Sequence, residues 1–190
     1  MTVLQCLVFI IAIDIITMCT FVFFHIKKKK NKTGVWCLTV LSICTTLFIG
    51  FNIQKAYQHG MYEIKISFSD MLKHIEKSPE EDKLPENLSK CIIIYYKFGC
   101  SDCEHVYKDL KDSLGDKQNV YWVSTRSKQG MDLLNQYPVK VVPSGVYVYS
   151  DSTTTAPQYV KKVLYMHDKN ETILHQTNLN RLLELQSEER

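Results

Sequence analysis

The 190-residue chain is expected to form an α/β domain around a central sheet, preceded by a two-helix transmembrane hairpin. Three observations point there. Two apolar runs of bilayer-spanning length fill most of the first 57 residues. Cys91–Tyr96 is an unbroken apolar run of β-branched and aromatic residues, the pattern of a strand buried on both faces. An amphipathic helical pattern starts directly behind it, opened by two cysteines.

The hairpin comes first in the chain. Thr2 to Ile26 is nearly all apolar, and Gly34 to Ile53 forms a second apolar stretch. As a helix, each is long enough to cross a hydrocarbon layer of ~30 Å, which takes about 20 residues. Lys27, Lys28, Lys29, Lys30 and Lys32 lie between them. A short basic loop beside membrane spans stays on the cytoplasmic side, which puts both outer ends of the hairpin outside. A cleaved secretory signal carries its positive charge before the apolar run, whereas here the charge follows it, so the hairpin is read as retained. The expectation is a multi-pass cell-membrane protein: residues 1–57 as hairpin, with spans at about 2–26 and 34–53 and a cytoplasmic loop over 27–33, and residues 58–190 as an extracytoplasmic domain. Asp14 in mid-span marks helix packing or a partner protein. Cys6, Cys19, Cys37 and Cys44 read as small buried hydrophobes, with Cys19 and Cys37 at similar depth.

Charge divides the same way. The chain has a formal charge of +3, yet residues 58–190 hold 17 Lys and Arg against 19 Asp and Glu, a balance of −2. The positive excess is therefore a topology signal, and no basic, aromatic-interleaved patch points to nucleic acid.

Within the second part, Tyr62, Ile64, Ile66 and Phe68 alternate as a short strand over Met61–Phe68. A helix follows, with Ser67 and Asp70 at capping-box spacing and Phe68, Met71, Leu72 and Ile75 on one face. Ser78 to Ser89, with two prolines and several acids, reads as a solvated loop. After the Cys91–Tyr96 strand, Cys103, Val106, Tyr107, Leu110 and Leu114 recur at helical spacing. Val120–Ser124 is a further strand, and Met131, Leu134 and Tyr137 face inward from a helix that Pro138 stops. Val139–Tyr149 is extended and interrupted by Pro143. Lys161–Met166 and Thr172–His175 flank an Asp168-Lys169-Asn170 turn and are expected to pair, and a last helix is capped by Asn178 and carries Leu179, Leu182 and Leu183. Asn87 and Asn170 head glycosylation-type triplets, meaningful only in a eukaryotic secretory setting.

The chemistry concentrates at Cys100-Ser101-Asp102-Cys103, two thiols at one helix start. A disulfide closing so short a loop gains little entropy, so stapling is a weak reason for the pair. Reactivity is a better one, because the helix N-terminus stabilises a thiolate at the first cysteine. Cys100 is then the nucleophile and Cys103, one turn inside, the resolving thiol. A zinc site lacks a second Cys-x-x-Cys, and covalent haem attachment lacks a histidine directly after Cys103, where Glu104 stands and His105 comes one place late. No metal or dissociable cofactor is called for. A merely structural disulfide remains the competing reading of the pair. Cys91 reads as an inert core thiol.

From about Met61 onward the chain resembles the thioredoxin superfamily. Ile92–Tyr96 is similar to the family's central strand, Cys100–Cys103 to its active-site pair, and Tyr137-Pro138-Val139-Lys140-Val141-Val142-Pro143-Ser144 to the segment bearing its cis-proline, with Pro143 placed 43 residues after Cys100. The resemblance implies a three-layer domain with a central mixed sheet, and a cis Pro143 opposite the thiols, where the Val142 backbone positions an extended substrate. The chain departs from the family at Gly99, where a tryptophan is usual, and at Ile94, where a buried acid is usual. Lys97, Ser101, Asp102, Glu104 and His105 are the modulators left to consider; Asp102 opposes a thiolate that the helix end favours.

The resulting expectation is a membrane-tethered thiol-disulfide oxidoreductase acting on exported or membrane proteins and peptides, with a redox partner that regenerates the pair and the lipid bilayer as its anchor. The alternative is a non-catalytic accessory protein of the same fold, assisting secretion of, or immunity to, a secreted peptide.

Overall fold

The computed structural model describes residues 3–26, 32–60, 66–115, 117–150 and 157–188. The chain divides into two compact units, one of Met1–Ala56 with Ile64–Leu72 and one of Tyr57–Glu63 with Lys73–Arg190.

The first unit is built on two helices, α1 (Val3–Ile26) and α2 (Lys32–Gln58). Helices form where the sequence places them, but the membrane expectation is overturned: among the described residues no helix is long and apolar enough to cross a membrane. Polar groups interrupt both apolar runs and turn toward one another. The Ser42 hydroxyl donates to Asp14 Oδ1 at 2.8 Å, and Thr46 Oγ1 lies 3.1 Å from both Asp14 oxygens. Asp14 therefore has its partners within the helix pair, as expected of a buried or half-buried acid. The two-span hairpin, the cell-membrane location and the extracytoplasmic placement of the second part all fall with that correction. Lys27, Lys28, Lys29 and Lys30 lie outside the described residues, as does the Cys6 side chain. Cys19, Cys37 and Cys44 are exposed free thiols.

Helix α3 (Phe68–Ile75) begins where Met71 N–H donates to the Ser67 carbonyl at 2.9 Å. The Ser67 side chain meets the Ser69 hydroxyl at 2.9 Å. The strand expected over Met61–Phe68 lies mostly outside the described residues.

The second unit is α/β with a mixed four-stranded sheet. Strands β1 (Cys91–Tyr96), β2 (Val120–Ser124), β3 (Ser144–Tyr149) and β4 (Gln158–Val163) lie in the order β2-β1-β3-β4. β1 runs parallel to β2 and antiparallel to β3, which is antiparallel to β4. Every residue of β1 is buried, as its continuous apolar run requires. One face of the sheet buries Cys91, Ile93, Tyr95, Val123, Val146 and Val148 against Leu133 and Tyr137. The other buries Ile92, Ile94 and Tyr147 against Leu110 and Leu114 of α4 (Ser101–Leu114) and Leu179 and Leu182 of α6 (Gln176–Glu188).

Three details differ from the sequence reading. Helix α5 (Lys128–Gln136) turns Gly130 and Leu133 inward and leaves Met131 exposed, because Gly130 packs directly on the Ser124 carbonyl. Lys161–Met166 is not one strand: Leu164, fully buried, ends β4 and starts a separate hairpin of β5 (Tyr165–Asp168) and β6 (Glu171–Leu174). Lys169 and Asn170, both at positive φ, form its two-residue loop. The last helix starts at Gln176, with Asn178 N–H meeting the His175 ring nitrogen at 3.4 Å, while the Asn178 amide donates to Val163 O instead of capping.

The 78–89 segment has no regular structure but is pinned. Asp82 N–H donates to Trp122 O at 2.8 Å, and Trp122 N–H donates to Asp82 Oδ2 at 2.7 Å, which covers the outer edge of β2.

Candidate active site

The site grows from the end of β1. Lys97 and Phe98 follow the strand, and Gly99 turns the chain at φ +70°, a conformation L side chains rarely adopt. The residue directly before the first cysteine is thus one that the turn demands. Cys100 is the N-cap of α4 (φ −91°, ψ 118°), with its N–H donating to Lys97 O at 3.1 Å and its carbonyl accepting from Glu104 N–H at 3.0 Å.

Cys100 is half-buried and Cys103, 6% exposed, lies behind it; both thiols are free. The Cys100 thiol is lowered from 9.0 to about 6, chiefly because the Cys103 S–H donates to its sulfur. The backbone N–H groups of Cys103 and Asp102 add to this, while burial and the Asp102 charge oppose it. Cys103 is displaced the other way, far upward, because it is the donor to Cys100 and is buried. The two sulfurs are thus unequal: an outer one poised to ionise and an inner one that keeps its proton.

Opposite them lies the proline loop. The Val142–Pro143 peptide is cis, and the Cys100 sulfur lies 3.9 Å from the Val142 carbonyl oxygen. Pro143 is buried and Val142 half-buried, so the backbone edge beside Cys100 belongs to Val142. Pro143 O accepts from Leu164 N–H at 3.0 Å, and Ser144 Oγ donates to Val141 O at 2.7 Å, fixing the loop from both sides.

The remaining residues singled out by sequence fall into distinct positions. Asp102 accepts a hydrogen bond from Thr172 on β6 at 2.9 Å. Glu104, nearly buried, bonds to His74 Nδ1. Lys97 has an exposed side chain and acts through its main chain, whose amide meets the Cys103 sulfur. Ser101 is exposed, and His105 is occupied with the Ser101 carbonyl, 2.7 Å from its Nδ1, on the solvent side of α4. Sequence reasoning missed three contributors. His74 flanks Gly99, its ring 3.7 Å from where a Cβ there would stand. Tyr165 has its hydroxyl pushed up, first by burial and then by the charges of Asp102, Cys100 and Cys103. Thr172 holds Asp102. No local pattern marks any of the three.

Cys91 is 1% exposed, and burial pushes its thiol up to about 11. Among the described residues no three His, Cys, Asp or Glu side chains gather to hold a metal ion. No protein-family model matches the chain, and neither does any curated protein or solved structure.

Proposed function

We propose that the protein is a thiol-disulfide oxidoreductase of the thioredoxin type, acting on cysteine-bearing polypeptides through Cys100 and Cys103. The observation that carries this reading is the unequal thiol pair facing a cis-proline: Cys100 lowered to about 6, Cys103 protonated behind it, and Val142 O at 3.9 Å.

The chemistry follows from that inequality. The Cys100 thiolate attacks one sulfur of a substrate disulfide; the Cys100–substrate bond forms, the substrate S–S bond breaks, and the second substrate sulfur leaves as a thiolate. Cys103 then gives its proton to one departing sulfur and attacks the Cys100 sulfur, which expels the other as a thiolate; a proton from solvent completes the substrate dithiol. The substrate gains two electrons and the protein is left with a Cys100–Cys103 disulfide. The same steps in reverse oxidise a substrate dithiol. An extended substrate chain lies along the Val142 backbone, which brings its cysteine to Cys100.

Two measurements test the reading. In the wild type, alkylation of Cys100 by iodoacetamide, followed on its peptide by mass spectrometry, should rise with a midpoint near pH 6. In the Cys103→Ser variant, glutathione disulfide should leave a stable glutathione adduct on Cys100. A midpoint near 9 together with no accumulated adduct would overturn the proposal.

A further inference from the structure

The β5–β6 hairpin stands apart from the main sheet, yet two hydrogen bonds fasten it to the candidate active site. At its root, Leu164 N–H donates to Pro143 O at 3.0 Å, directly after the cis peptide. On β6, Thr172 Oγ1 donates to Asp102 Oδ1 at 2.9 Å, across 70 residues of sequence. Tyr165 follows Leu164, is packed edge-on against His167 at 5.4 Å, and feels the charge of Asp102 and both thiols. Thr172 also lies 3.2 Å from His167 Nδ1, so its hydroxyl joins the hairpin's own polar face to the first turn of α4.

Asp102 is, among the described residues, the carboxylate whose charge opposes ionisation of Cys100. A hydrogen bond to a carboxylate fixes where its charge sits and disperses part of it. Resting on the oxidoreductase reading, we propose that Thr172 is a positioning residue for thiol exchange: its bond to Asp102 seats the hairpin over the start of α4 and limits how much of the Asp102 charge Cys100 feels. The ionisable groups around Cys100 are Cys103 and Asp102 on α4 and Tyr165 on β5; those around Asp102 are the two cysteines and Tyr165, with His167 reached through Thr172. His74 and Glu104 pair with each other on the Gly99 side.

The test reads the pH midpoint of Cys100 alkylation in four proteins: wild type, Thr172→Val, Thr172→Ser and Asp102→Asn. Valine keeps the shape and removes the donor, so the midpoint should rise by about half a pH unit, and alkylation at pH 5.5 should slow roughly threefold. Serine keeps the hydroxyl and should restore the wild-type midpoint. Asp102→Asn should lower the midpoint, and in that background Thr172→Val should change nothing, which a purely structural role for Thr172 would not produce. Equal midpoints for Thr172→Val and wild type would overturn the proposal, as would an undiminished Thr172→Val effect in the Asp102→Asn background. The comparison is a difference, so it is decided even if the wild-type midpoint lies near 9, the result that counts against the oxidoreductase reading instead.

Discussion

At the scale of single residues, the site is governed by who donates to the Cys100 sulfur. The helix N-terminus contributes through the N–H groups of Asp102 and Cys103, but the larger contribution is the Cys103 thiol itself. The helix end and the Cys103 donor thus act in the same direction on the Cys100 thiol. Cys103→Ala should therefore raise the midpoint of Cys100 alkylation by about one pH unit or more, whereas Cys103→Ser, which keeps an O–H donor, should raise it less. Equal midpoints in the two variants would show that the backbone dominates. Stabilising the thiolate stabilises the reduced pair, which makes its disulfide the better oxidant. The two thiols stand out in the sequence as a Cys-x-x-Cys at a helix start, whereas Pro143 is singled out only by the resemblance, through its place 43 residues after Cys100. His74, Tyr165 and Thr172 were not legible there, because they reach the site only through the fold: His74 meets Glu104 across 30 residues and Thr172 meets Asp102 across 70.

At the scale of elements, hydrophobic periodicity located the helices and strands better than it oriented them. The apolar residues of α5 fit more than one face, and the choice falls to a steric fact that residue type alone does not reveal. Gly130 approaches β2 so closely that a Cβ would stand 1.8 Å from the Ser124 carbonyl oxygen, and its N–H takes the Ser127 hydroxyl as cap at 2.8 Å. Because the clashing atom is backbone, no rotamer change relieves it. Gly130→Ala should lower the unfolding free energy by about 3 kcal/mol despite alanine's better helix propensity, as read by urea denaturation. An alanine variant as stable as wild type would mean that α5 does not pack on β2 in this register. The boundary between β4 and β5 was hidden for a related reason. Leu164 continues the apolar pattern of Lys161–Met166 without a break, and only its bonds to Pro143 O and from His175 N–H turn the chain away from the sheet. The acidic 78–89 segment looked solvated by composition, yet Asp82 is held by the outer edge of β2, a partner that no local pattern announces.

At the scale of the whole molecule, the thiol pair links stability to pH, and the sign follows from the direction of the Cys100 shift. Cys100 is lowered to about 6 in the folded protein and returns to 9.0 or so when unfolded. Between those values the unfolded chain binds one proton more, so unfolding takes up a proton and stability rises with pH. The contribution of Cys100 is complete above about pH 9 and is lost as pH falls through about 6. Glu81 and Asp82, raised chiefly by burial, act with the opposite sign: they favour the fold at acid pH and lose that contribution as they ionise. Their effect is common to wild type and a Cys100→Ser variant and cancels in the difference between them. The reduced wild type should therefore gain stability relative to Cys100→Ser from pH 6 to pH 9, with a ceiling of about 1.4 kcal/mol per pH unit that solvent around a half-buried sulfur lowers. Once the pair is oxidised Cys100 has no thiol left to titrate, and the same difference should be flat over that range. A slope that survives oxidation would place the titrating group elsewhere. A flat difference in the reduced protein would mean that Cys100 ionises alike folded and unfolded, and the chemistry proposed for it would lose its driving force.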